Sequence, residues 1–175
     1  MKIAVIGYSG SGKSTLTKNL AKGLRIPHLY LDTVNFLPGW VERDREESRR
    51  MVRDFLERND SWVIDGNYSK FYYEQRLEQA DYIIFLNFPR LRCFWRAWRR
   101  SVKYQGKVRE SAAEGCPEKF DWEFIRWILW DARTRERKAR LKICLAPHRD
   151  KLLVCRNDWE VNRAMARLLN QAKGI

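Results

Sequence analysis

The segment Gly7-Tyr8-Ser9-Gly10-Ser11-Gly12-Lys13-Ser14 constrains this chain more than any other. It satisfies G-x-x-x-x-G-K-[ST], follows the apolar run Lys2–Ile6 and opens a stretch of helical period, which is the context the motif requires. Glycines let such a loop curl until successive backbone N–H groups converge on one concavity. The helix starting near Lys13 adds its positive end, and the result is a cradle for phosphate. Lys13 is expected to reach the β- and γ-phosphates of ATP, and Ser14 to ligate Mg²⁺. With average residue usage, the four fixed positions coincide about once in two hundred chains of this length. The strand before and helix after make an accident rarer still. The expected nucleotide-binding set is Gly7, Ser9, Gly10, Ser11, Gly12, Lys13, Ser14 and Thr15.

The rest of the chain supplies a matching frame. Short runs rich in β-branched or aromatic residues, Lys2–Ile6, His28–Leu31, Trp62–Ile64, Tyr82–Asn87 and Leu152–Cys155, predict buried parallel strands. Helical stretches lie between them, about Lys13–Leu24, Asp44–Arg58, Lys70–Gln79, Pro89–Gln105, Asp121–Ala146 and Asp158–Ala172. Strand-helix alternation predicts an α/β fold, a parallel sheet covered on both faces. At 175 residues the expectation is one domain spanning residues 1–175. Gly106–Phe120 breaks the rhythm with two glycines, a proline and no apolar period, and is expected to be a mobile lid.

Ligands of such sheets bind beyond the carboxyl ends of the strands. Asp32 and Asp65 stand there. One carboxylate can serve Mg²⁺, and the other can orient or deprotonate an attacking hydroxyl. Either alone also reads as a helix cap or turn residue; beside a phosphate loop the functional reading gains weight. Asn35–Trp40 mixes apolar rings with a turn, and reads equally as an acceptor wall or a packed loop.

Composition narrows the partners. The 35 basic residues against 22 acidic ones give a net charge of +13, which favours polyanions. From Pro89 to Arg109 eight basic residues appear without an acid, Arg96 and Arg100 among them. They either close on a triphosphate or form a solvated face. Tryptophans 95, 98, 122, 127 and 130 interleave with arginines. That pattern can make a nucleic-acid platform, but helical tryptophans more often serve the core or helix–helix packing, which is the expectation. Four scattered cysteines offer no zinc spacing or disulfide framework, so reduced thiols are expected. No apolar stretch approaches the ~20 residues of a membrane span. The expectation is a soluble cytoplasmic protein with no membrane partner.

The phosphate loop, the strand-end aspartates and the flanked lid together resemble the adenylate kinase-like group of small P-loop kinases, which includes nucleoside monophosphate, shikimate and gluconate kinases. More closely, the chain resembles the bacterial DNA topology modulation proteins, an adenylate kinase-related family. The segments IGYSGSGKST, LDTVNFLPGW, SWVIDGNYSK, DYIIFLNFPR and EGCPEKFDWEFIRWILWD carry the likeness, so it covers most of the chain. The resemblance implies a five-stranded parallel sheet in the order 2-3-1-4-5, with residues 106–120 as the lid. It implies that Gly7, Gly10, Gly12, Lys13, Ser14 and Thr15 hold nucleotide, that Asp32 contacts the acceptor, and that Arg96 and Arg100 lead into the lid. Asp65 matches the aspartate of the adenylate kinase segment D-G-F-P-R, although Asn67-Tyr68 follows here in place of Phe-Pro-Arg. The expected activity is a Mg-ATP-dependent kinase in which Lys13, Asp32, Arg96 and Arg100 act on an unidentified hydroxyl or phosphate acceptor. The alternative is a nucleotide-dependent DNA-binding protein.

Overall fold

The computed structural model describes residues 1–172 and 174. Five parallel strands form one sheet: β1 (Lys2–Gly7), β2 (His28–Tyr30), β5 (Trp62–Asp65), β6 (Tyr82–Leu86) and β7 (Leu152–Cys155). Their order is β2-β5-β1-β6-β7. Two further strands, β3 (Phe36–Leu37) and β4 (Val41–Glu42), pair antiparallel as a separate short hairpin. Setting that hairpin aside, the order is the expected 2-3-1-4-5.

Period-two alternation in β1 explains why the sheet must be covered twice. Ile3 and Val5 join one apolar cluster with Leu16 and Leu20 of helix α1 (Lys13–Leu24) and Leu168 of the C-terminal helix (Asp158–Ala172). Ala4 and Ile6 join the other, with Val52 and Leu56 from the Arg45–Arg58 helix and Leu77 from Tyr73–Gln79. All four β1 side chains are fully buried. Each buried Ile, Leu or Val contributes about 1.5–3 kcal/mol, so the sheet is held between two apolar layers, while its parallel pairing brings the strands' carboxyl ends to one edge.

Helix boundaries follow their caps. Asp44 accepts from the N–H groups of Glu46 and Glu47 and starts the third helix. One expectation fails: residues 121–146 do not form a single helix. Trp122–Leu129 ends at Trp130, a 3-10 turn occupies Asp131–Arg133, and a new helix spans Arg135–Leu145. Thr134 caps that helix by accepting from the N–H of Arg137. Side-chain oxygens compete for backbone donors in this way and restart helices where no apolar stripe holds them continuous. Leu31, expected in the second strand, instead opens the short helix Leu31–Asn35, and Asn87 falls just past its strand.

The tryptophan expectation also needs correction. Trp95, Trp98, Trp122 and Trp130 are exposed rather than packed in the core. The Arg90–Lys103 helix meets the sheet through the small residues Cys93 and Ala97, which leaves no room for indoles on that face. Cys93, Cys116, Cys144 and Cys155 are all free thiols. Among the described residues no helix is long and apolar enough to cross a membrane.

Candidate active site

The carboxyl ends of β1, β2 and β5 open into one cleft of 1910 Å³, which is lined by the whole phosphate loop together with Asp32 and residues of the lid. The loop's shape rests on left-handed glycines. Gly10 has φ +77° and lies so close to the backbone of Cys93 that a Cβ would overlap its carbonyl; Gly12, at φ +98°, caps helix α1. Only glycine enters this backbone region without strain. Lys13 Nζ donates to the carbonyl of Tyr8 at 3.2 Å, folding over the loop.

Asp65 ends β5, in register with Val5 on one side and Tyr30 on the other. It is 6% exposed. Burial lifts its carboxyl to about 6; Lys13 and the Ser14 hydroxyl beside it pull the other way, and nearby Asp32 adds to the rise. A carboxylate held in a dry place beside a lysine and a hydroxyl is poised to gain from a cation. Ser14, which lines the cleft, and Asp65, buried just behind it, thus bring together two hard oxygens of the kind Mg²⁺ prefers.

Asp32 lies in the first turn after β2. Its Oδ1 accepts the hydroxyl proton of Tyr68 at 2.7 Å, while no described residue donates to its Oδ2. Burial and the Asp32 charge push the Tyr68 phenol far up, so it remains a donor. Its neighbour Asn67 clamps the loop: the amide accepts from Gly7 N at 3.1 Å and donates to Gly7 O at 2.8 Å. The departure from Phe-Pro-Arg after Asp65-Gly66 therefore has work to do here. One residue ties down the start of the phosphate loop and the next orients Asp32.

The arginines divide. Arg96 donates to the carbonyl of Ser11 at 3.0 Å and pairs with Asp158, so it is anchored to the loop backbone. Arg100 and Arg109 share one carboxylate, Glu118 of the lid, whose side chain is 3% exposed. Burial and the adjacent Arg109 charge lower the Arg100 pKa. Lid and hairpin are also joined through backbone: Gly39 N donates to Gly115 O at 3.0 Å, and Trp40 Nε1 to Pro117 O at 3.0 Å. The segment expected as a mobile flap is thus fastened to Phe36–Glu42, its Glu110 also pairs with Lys18 of helix α1, and residues 109–111, 118 and 119 line the cleft. Beyond the lid, Trp127 Nε1 donates to Ser9 Oγ at 3.3 Å, and Arg133 stacks 3.6 Å above the Tyr8 ring.

Sequence reasoning missed Asn67, Tyr68, Glu118, Trp127 and the role of Arg133. For Asn67 and Tyr68 the signal was their place just past a strand end. Glu118 carried none, because its partners are distant in sequence.

No family model and no curated protein matches the chain. Its fold is similar to solved structures. One is a shikimate kinase from Bacteroides thetaiotaomicron, at 19% identity and TM-score 0.56, covering 99% of this chain and 98% of that one. Another is a deoxyadenosine kinase from M. mycoides with products dCMP and a flexible dCDP bound, at 12% identity and TM-score 0.52, with both chains covered completely. At these identities the likeness establishes the α/β fold of P-loop small-molecule kinases.

Proposed function

We propose that the protein is a Mg-ATP-dependent phosphotransferase that moves the γ-phosphoryl group of ATP to a hydroxyl acceptor. One observation carries the reading: Asp32, with a free carboxylate oxygen and a tyrosine holding the other, opens into the same cleft as Lys13, Ser14 and the loop amides. Phosphoryl transfer needs positioning and charge neutralisation more than unusual side chains, and these residues supply both.

In this reading the loop N–H groups and Lys13 bind the β- and γ-phosphates, and Arg96 keeps the loop in shape through Ser11. Asp32 accepts a hydrogen bond from the acceptor hydroxyl and takes its proton as the oxygen attacks. Arg100 and Arg109 face the cleft and counter the charge that spreads over the transferred group. Ser14 and Asp65 would hold Mg²⁺, which when bound neutralises phosphate oxygens. The lid and hairpin exclude water, so that the acceptor rather than solvent receives the phosphoryl group.

A second reading, nucleotide-dependent DNA binding, draws on the exposed Trp95–Trp98 pair (5.2 Å between ring centroids) beside Arg99 and Lys103. It predicts an affinity that falls steeply with salt. One part of the charge supports the kinase: Arg96, Arg99, Arg100, Lys103, Arg109 and Arg126 line the cleft. The test is ADP release from Mg-ATP across nucleosides, nucleotides, sugar acids and DNA, with Lys13→Ala as control. Stimulation by one small hydroxyl compound, lost in the variant, supports the kinase. Stimulation by DNA alone contradicts it.

A further inference from the structure

Arg76 sits in the Tyr73–Gln79 helix and, among the described residues, is the one fully buried cation; it does not line the cleft. Its side chain is held by carbonyls. Nε donates to Phe71 O at 2.8 Å, Nη1 to Gly66 O at 3.3 Å and Nη2 to Tyr68 O at 3.2 Å. Burial lowers its pKa to about 10, against the pull of Tyr73 and Asp65, so the charge persists at neutral pH. A buried charge is costly, and an apolar side chain of similar volume often serves a core as well. What an apolar side chain cannot do is hold three peptide groups at once in a rigid, planar fork of donors.

The three carbonyls belong to one segment, residues 66–71, which has neither helix nor strand of its own. Both its ends are conformationally demanding. Gly66 has φ +133°, where a Cβ would overlap the Leu31 side chain, and Tyr72 beyond it is left-handed at φ +50°. A tyrosine keeps that conformation only where its surroundings fix it. The backbone N–H of Arg76 donates to Tyr72 O at 2.8 Å, so the same residue also secures the far end. Between the gripped carbonyls lie the two side chains that reach the site. Asn67 clamps Gly7 at the start of the phosphate loop, and Tyr68 holds Asp32. Resting on the kinase reading above, we infer that Arg76 is a positioning residue that touches neither nucleotide nor acceptor. One guanidinium sets both the Asn67 clamp and the Tyr68 grip, and so ties nucleotide affinity to the placing of Asp32.

The test is a pair of double-mutant cycles, because a residue that only supports the core acts independently of Asn67 and Tyr68. Arg76→Lys keeps the charge but cannot span the three carbonyls. In calorimetry with Mg·ADP it should weaken binding about tenfold, and by about twofold or less in an Asn67→Ala background. With ATP saturating and a hydroxyl compound accepted in the ADP-release panel, it should lower kcat/KM for that compound about fivefold, a loss that vanishes in a Tyr68→Phe background. Losses that multiply independently in either cycle, or an unchanged ADP affinity in Arg76→Lys, overturn the inference. If the lysine variant does not fold, Arg76→Met, which fills the space without a buried charge, takes its place in both cycles. If neither folds, hydrogen exchange of the Arg76 Nε–H reads the linkage from the other end. Mg·ADP should slow that exchange in wild type and not in Asn67→Ala; exchange indifferent to Mg·ADP in wild type overturns the inference. Failure of the kinase reading shows separately, as a wild type that binds Mg·ADP but phosphorylates nothing in the panel. The Asp32 half of the inference then falls with it, and the Asn67 half is decided by the ADP cycle alone.

Discussion

The two sides of the cleft are built by different means. The phosphate side is backbone: a strand end, a left-handed loop and a helix start, contiguous from Lys2 to Leu24. The acceptor and lid side is side chains brought from far apart, with Asp32 on Tyr68, Glu42 on Lys70, and Glu118 on Arg100 and Arg109. A backbone cradle serves any triphosphate, so it can be the same in many proteins. Paired side chains can be exchanged one at a time, so the second side is where an acceptor is chosen. If that division is right, damage to the first side abolishes reaction, and damage to the second changes rate, substrate or stability by graded amounts.

The largest effect is expected from Lys13→Ala. Turnover should fall by several orders of magnitude while the far-ultraviolet dichroism and cooperative melting persist, since the ammonium makes a single hydrogen bond, to the Tyr8 carbonyl. Near-wild-type turnover would erase the distinction between the two sides.

Asp65 sharpens it through pH. Folding raises its carboxyl to about 6, above its ordinary value of 3.8. The native state therefore keeps a proton that the unfolded chain releases between about pH 4 and 6. Stability of the ligand-free protein should fall as pH rises through that window, by up to about 3 kcal/mol at 1.36 kcal/mol per unit. Asp65→Asn should remove that slope, melt higher than wild type at pH 8, and lose the Mg²⁺ dependence of nucleotide binding. A variant less stable at pH 8 would mean that the carboxylate serves structure instead.

On the lid side, Glu118→Gln removes one charge that two arginines share. Denaturant unfolding should show a loss of about 2 kcal/mol, typical of a charged hydrogen-bonded group. KM for the acceptor should change more than the affinity for ADP. The smallest effect is expected from Tyr68→Phe, which deletes a single hydrogen bond to Asp32: about 1 kcal/mol, read as a fivefold or so loss in kcat/KM with nucleotide affinity kept. Equal losses in nucleotide and acceptor binding would collapse the comparison.

The same division explains what the sequence disclosed. The phosphate loop, helix α1 and all five sheet strands were legible because their signals are local: glycine spacing, apolar runs and a cap. The positions of Asp32 and Asp65 just at or after strand ends were legible from the apolar runs before them, and of the two Asp32 lines the cleft. The lid's attachment was not, since Gly115 and Cys116 look like loop residues until the hairpin 76–79 residues away meets them. The hairpin itself has two-residue strands, too short for any periodicity to register. The break near Thr134 was hidden because a run such as Arg135–Arg140 has helical propensity throughout, and a cap is visible only once the chain has turned. Trp95 and Trp98 ran against the general preference for buried indoles, because the small residues Cys93 and Ala97 already fill the inner face of their helix.

The central claim is that Asp32 directs the γ-phosphoryl group of ATP to a hydroxyl of a bound acceptor. Phosphorus NMR of Mg-ATP with an accepted hydroxyl compound, followed over time for wild type and Asp32→Asn, tests it most directly. The account predicts a new phosphomonoester resonance growing in step with ADP for wild type, and a rate about a hundredfold lower or less in Asp32→Asn with ATP affinity unchanged. Inorganic phosphate as the only new product in both, at equal rates, would contradict it.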